Sequence, residues 1–177
     1  MNHASWPSPL MRNCISGFLF GASLLSTNVA ALAQEAGLTG QDKAADVVQA
    51  RQLLMDTVEE NMMVIDSVVA GKDAPLGDLK ARAYLINTLA TAFPHLFPPQ
   101  TKPPSGTEDP GFQTNATLVL WQKFPAFYQS VQDFAAIALD ASQTSDMTKF
   151  RDYGRQLRAG CDSCHEKFMT PVEGPRQ

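Results

Sequence analysis

Residues 157–168 read Leu157-Arg158-Ala159-Gly160-Cys161-Asp162-Ser163-Cys164-His165-Glu166-Lys167-Phe168. Two cysteines three positions apart, followed at once by a histidine, form the spacing of covalent haem c attachment. Each thiol adds across one haem vinyl group and leaves a thioether, and the histidine ligates the iron. On a helix, positions 161, 164 and 165 share one face. Cys161 and Cys164 then fix the porphyrin edge, and His165 stands beneath the iron. A thioredoxin-like dithiol would lie near the start of a βαβ unit, and no such unit is legible here. A zinc site would need two further ligands, and His95 is the one other histidine beyond the N-terminal segment. A disulfide at this spacing inside a helix is sterically poor.

The helix that carries this motif is expected from a Ser145 N-cap to about Met169. Its apolar seam is Met147, Phe150, Gly154, Leu157, Cys161, Cys164 and Phe168, so both cysteines fall on the core-facing stripe. Three more seams precede it. The first helix, about Gln41 to Ala70, carries Val48, Arg51, Met55, Val58, Met62, Ile65 and Val69, with Gly71 as its C-cap. The second starts at Pro75 and carries Leu76, Leu79, Ala83, Ile86, Ala90 and Phe93. The third, about Asn115 to Ala141, carries Leu120, Phe124, Phe127, Val131, Phe134 and Ala138, and Pro125 should kink or restart it. Short links between helices 1–2 and 3–4 imply antiparallel neighbours. A long Pro/Gly-rich link, Pro98 to about Thr114, should strap the bundle end. The expected fold is all-α: an antiparallel up-down-up-down four-helix bundle enclosing a covalently bound haem.

The chain start reads differently. Met11-Arg12-Asn13 is a short basic start, Ile15 to Ala33 is apolar, and the stretch ends Ala31-Leu32-Ala33. This is the pattern of a secretory signal peptide over residues 1–33, cut before Gln34, with Met1 and Met11 both open as the start. Several Ser, Thr and Asn residues interrupt the stretch and argue against a membrane anchor. The remaining 144 residues, 34–177, suit one domain. They keep two cysteines, and both are in the motif. With Arg12 gone, 13 basic residues face 18 acidic ones, which argues against nucleic acid as a partner. The expected location is the periplasm, free of the membrane after cleavage. The expected partners are redox proteins of that compartment. Monomer and homodimer both stay open.

In this topology the motif end of helix 4 meets the early part of helix 1, the end of helix 2 and the start of helix 3. That brings Arg51, Met55, Phe93, His95 and Trp121 toward the other haem face. Arg51 is the one charge on an apolar seam. It either meets a haem propionate or snorkels to the surface. Met55 is either an axial ligand through its thioether or simple core packing. Trp121 and Phe127 are expected to pack on haem, the alternative being core without haem contact. His95, flanked by prolines, is a minor ligand candidate, and Met62 is expected to lie too far along the helix.

A haem motif at the C-terminal end of a four-helix bundle resembles the class II cytochromes c: cytochrome c′ and its low-spin relatives of the c-556 type. The resemblance spans about Val47 to Phe168. Arg51-Gln52-Leu53-Leu54-Met55 is similar to the family's first-helix segment. Asn61-Met62-Met63-Val64, Leu96-Phe97-Pro98 and the Trp121/Phe127 spacing resemble the low-spin members in particular. In those members the methionine matching Met55 is the sixth iron ligand. In cytochrome c′ the matching position packs over an open iron that binds small gases. One departure is Met169, where the family usually has Arg or Lys. The resemblance thus implies an electron-transfer protein with Met55 and His165 on the iron, or alternatively a five-coordinate binder of NO or CO. Neither is an ordinary enzyme, and no nucleophile or paired-carboxylate arrangement stands beside the motif.

Overall fold

The computed structural model of the chain describes residues 41–104 and 111–170. The signal peptide expected at 1–33 and its cleavage point lie outside the described residues. Five helices follow in order: α1 Gln41–Val69, α2 Leu76–Ala92, α3 Leu118–Gln122, α4 Phe124–Gln143 and α5 Met147–Phe168. Two short 3-10 turns, Phe93–Leu96 and Pro99–Thr101, lie between α2 and α3. Packing runs in a ring: α1 on α2, α2 on α4, α4 on α5 and α5 back on α1. With α3 and α4 as one interrupted arm, this is the four-helix bundle that the seams require.

The helix ends have local causes. Gly71 sits at φ +100°, a conformation in which only glycine is unstrained. The Lys72 amide donates to Ser67 O at 3.0 Å and the Gly71 amide to Val68 O at 3.0 Å, which closes α1 as a Schellman motif. Pro75 stands one residue before α2 in extended conformation, rather than inside it, and its carbonyl accepts from the Asp78 and Leu79 amides. The cap of α5 is Asp146, not the expected Ser145. Its carboxylate accepts from the Thr148 amide at 2.7 Å and the Lys149 amide at 3.3 Å, and its negative charge suits a helix N-terminus.

Pro125 restarts the third helix rather than kinking it. Proline has no amide hydrogen, and its ring would clash with the carbonyl four residues back, at Trp121. The helix therefore breaks at Lys123, at φ −118° and ψ 34°. The Lys123 carbonyl accepts from the Ala126 and Phe127 amides and opens α4.

The core has two clusters. One holds Met62, Ile65, Leu79, Ile86, Phe150 and Leu157 among others, with Met55 packed half-buried against it. The second is aromatic and lies toward the other end, around Phe97, Leu120, Phe127, Val131 and Phe168. Phe127 is its hub, with ring centroids of Phe93, Phe97, Phe124 and Phe168 at 4.9–6.2 Å. The seams also undercounted the buried stripe: Ala44, Val47, Asn61 and Val68 are buried on α1, and Ala135 and Ala141 on α4.

Helix α1 meets α5 closely at Gly154. A Cβ there would lie 2.7 Å from Val69 Cγ2 and 2.9 Å from Ile65 Cγ2. Gly154→Ala is expected to destabilise the bundle by about 1–3 kcal/mol through overpacking, read as a lower urea midpoint at unchanged slope. One turn further along α5, Arg158 pairs with Asp66 and Glu59 of α1. Burial alone would depress its pKa, but the two carboxylates outweigh that and hold it raised.

Candidate functional site

A cavity of about 280 Å³ opens between α1, α4, α5 and the end of the α2–α3 link. Helix α5 contributes Gly160, Cys161, Cys164, His165 and Phe168 to its wall, with Met169 just beyond. Helix α1 contributes Arg51, Gln52, Met55, Asp56 and Val58. Phe127, Ser130, Val131 and Phe134 come from α4 as one stripe at helical spacing, and Thr114, Asn115 and Ala116 come from the link. The wall is thus mostly apolar and aromatic, with a few polar groups placed on it, as ligand pockets are.

Gly160 has a packing reason to lack a side chain. A Cβ there would stand 3.2 Å from Phe134 Cδ2, so the bare backbone lets that ring approach beside Cys161. The two thiols are not joined. Burial pushes the Cys161 thiol up to about 12, with Arg158 pulling it down and Glu59 and Asp162 adding to the rise. Burial likewise raises Cys164, against the pull of Lys167. Neither is a thiolate at neutral pH, which disfavours a dithiol redox couple that works through an activated sulfur.

Arg51 does not snorkel. Its side chain is buried, with 4% of the residue exposed. Nη1 donates to Thr101 Oγ1 at 3.1 Å and to Leu96 O at 3.4 Å, and Nη2 donates to Thr114 Oγ1 at 2.8 Å. The guanidinium lies over the Phe97 ring at 4.6 Å and near the Trp121 ring at 5.8 Å. Among the described residues no carboxylate pairs with it. Burial without a counter-charge lowers its pKa to about 10, still a cation at neutral pH.

The other candidates separate clearly. Phe127 lines the cavity at 1% exposure. Trp121 is not on the cavity wall. It meets Phe97 edge to face at 5.8 Å and donates its indole N–H to Phe97 O at 3.0 Å. His95 is exposed beside the Tyr128 ring and does not line the cavity. Met62 is fully buried in the first core cluster, also away from the wall.

A family profile described as cytochrome C′ matches residues 46–169. The chain belongs to the cytochrome c′ family. Solved structures share its fold. Cytochrome c556 of R. palustris aligns at 24% identity with a TM-score of 0.62, over 72% of this chain and 98% of its own. Cytochrome c′ of Thermochromatium tepidum aligns at 18% identity with a TM-score of 0.64, over 76% and 100%. The nitric oxide complex of a point mutant of cytochrome c prime from Alcaligenes xylosoxidans aligns at 20% identity with a TM-score of 0.62, over 76% and 100%. No curated protein matches the chain. As in this family, the cofactor is one covalent haem c. The cavity suits it: two thiols and an imidazole on one helix, a thioether on another, an aromatic floor, and a buried cation without a carboxylate.

Some parts of the site carried no signal in the sequence. Thr101 and Thr114 are two of many polar residues in a Pro/Gly-rich link, yet both receive the Arg51 guanidinium. The Arg158 ion pairs were not read from the sequence, where their one trace is Glu59 and Asp66 at seven-residue spacing on α1.

Proposed function

We propose that this chain is an exported, non-enzymatic electron carrier whose haem is attached through Cys161 and Cys164 and ligated by His165 and Met55. The observation that carries the reading is that Met55 of α1 and His165 of α5 line the same cavity as the two cysteines. Haem iron supplies one-electron redox chemistry. The protein's part is to hold two ligands on rigid helices, so that neither must move between oxidation states. A thioether ligand also favours the reduced state relative to harder ligands. Phe127, Phe134 and Val131 keep the cavity apolar and exclude water. Arg51 supplies a cation for a propionate and needs a carboxylate to offset its burial.

Export rests on the sequence at 1–33. Among the described residues no helix is long and apolar enough to cross a membrane. Redox proteins of the periplasm are the partners this reading requires. Self-association has support in one structural neighbour, a cytochrome c′ with ligand-controlled dimer dissociation.

The second reading is a five-coordinate haem that binds NO or CO. It is favoured by the half-burial of Met55 against the main core cluster, where its thioether has a packing role to fill. Optical spectra of the ferric and ferrous protein, with and without CO, separate the two. Low-spin bands and resistance to CO are expected; a high-spin native protein that takes up CO readily would sink the electron-carrier reading. Intact mass of denatured protein from the periplasm tests attachment, the expected species being residues 34–177 plus one haem.

Arg51→Leu tests the propionate. It removes three hydrogen bonds: Thr101 Oγ1 still donates to Pro98 O and Thr114 Oγ1 still accepts from the Ala116 amide, while Leu96 O loses the bond from Arg51. The bundle is expected to survive a loss of about 1.5–3 kcal/mol. The midpoint potential and its pH dependence are expected to shift. An unchanged potential would assign Arg51 to the link alone.

A further inference from the structure

Around the cavity, α1 and α5 are held apart. Further along they meet directly, at Gly154 and through Arg158, but at the level of Met55 and His165 each lines a cavity wall. What joins them there is the end of the α2–α3 link. On the α1 side, Arg51 donates to Thr114 Oγ1 at 2.8 Å, and Gln52 Nε2 donates to Gln113 O at 3.0 Å. Arg51 is one helical turn before Met55, on the same face. On the α5 side, the Thr117 amide donates to Phe168 O at 2.9 Å and the Thr170 amide to Asn115 O at 2.7 Å, around an antiparallel bridge between Ala116 and Met169. The Met169 amide in turn donates to His165 O at 3.0 Å, which closes the last turn of α5.

We propose that residues 113–117 are a tie that sets the separation between the Met55 turn of α1 and the His165 turn of α5, with Thr114 as its positioning residue. The path is continuous: Met55 turn, Arg51, Thr114, the paired backbone of 115–117 and 168–170, His165 turn. Between chain segments each joint is a hydrogen bond, and the one at Thr114 is charge-assisted and part-buried. The same threonine oxygen also accepts from the Ala116 amide at 3.2 Å, which fixes the turn leading into the bridge. A link that only capped the bundle would need no buried cation reaching into it. The consequence for ligation rests on the Met55 reading above, whereas the tie itself does not.

Thr114→Val keeps the shape and removes the hydroxyl; Thr114→Ser keeps the hydroxyl. Two readouts are taken on holoprotein. In the first, amide hydrogen exchange at Thr117, Met169 and Thr170 is expected to speed up at least about tenfold in Thr114→Val, as loss of the charge-assisted bond together with the acceptor of the Ala116 amide implies, and to return toward native in Thr114→Ser. In the second, the CO-reactive fraction of ferrous protein is expected to rise about tenfold in Thr114→Val and not in Thr114→Ser. Unchanged exchange in Thr114→Val overturns the tie. Faster exchange with unchanged spin state and CO reactivity overturns its role in ligation. If the native protein already binds CO, the Met55 reading has failed and the tie is judged on exchange alone. There, lost protection at Met169 with rescue by serine supports it, and unchanged protection overturns it.

Discussion

Met55→Ala is expected to turn a low-spin, CO-resistant protein into a high-spin one that binds CO. The substitution removes the thioether that α1 brings to the cavity and leaves His165 in place. The other α1 residues on the wall are Arg51, Gln52, Asp56 and Val58, and none of them offers the iron a soft donor. Met55 is half-buried against the main cluster, so the stability loss should fall near the lower end of the range for buried methionine, about 2 kcal/mol. Urea titration and ferrous spectra with CO measure the two effects on one sample. A low-spin spectrum in the variant would defeat the assignment. Attention would then move to Met169, the other thioether on the cavity wall, because His95 and Met62 do not line it.

Phe127→Ala is expected to give the largest loss of stability, about 3–5 kcal/mol for a fully buried aromatic. The ring is 1% exposed and meets four other phenylalanines, two of them in edge-to-face contact within 5.5 Å. It also stands on the cavity wall, so truncation enlarges the pocket and admits water beside the haem site. Two readouts follow: a lower denaturant midpoint, and a lower haem potential as the site becomes wetter. Trp121→Phe makes the contrast. It removes one hydrogen bond to Phe97 O and keeps an aromatic ring off the cavity wall, so its effect should be about 1 kcal/mol with little change in the potential. Equal effects of the two substitutions on the potential would show that the aromatic cluster tunes the site as a whole.

The bundle was legible because helix seams are local. A seven-residue apolar repeat with glycine and proline at its ends specifies which face is buried whatever the partner is, and Leu79, Ala83, Ile86 and Ala90 show this on α2. The motif proposed for attachment is local in the same way: Cys161, Cys164 and His165 sit within five residues, so its reading rests on spacing along one helix. Cap identity was not legible: Ser145 is the expected cap, yet the adjacent Asp146 takes the position because its carboxylate satisfies two amides at once.

What the sequence determined by itself was the helical class, the antiparallel order, and the two cysteines on the core-facing stripe of the last helix. What only the tertiary structure decided was the far wall of the cavity. Arg51 reads in the sequence as equally able to snorkel or to be buried. Its fate depends on Thr101 and Thr114, 50 and 63 residues away, and on the Phe97 ring that covers it. Trp121 and Phe127 are six residues apart, yet only Phe127 reaches the cavity wall; Trp121 lies behind Phe97, to whose carbonyl its indole N–H donates. Long-range contacts of this kind have no periodic trace in the chain. They arise when separate helices and a link close on one volume, and the placement of each side chain follows from all of them together.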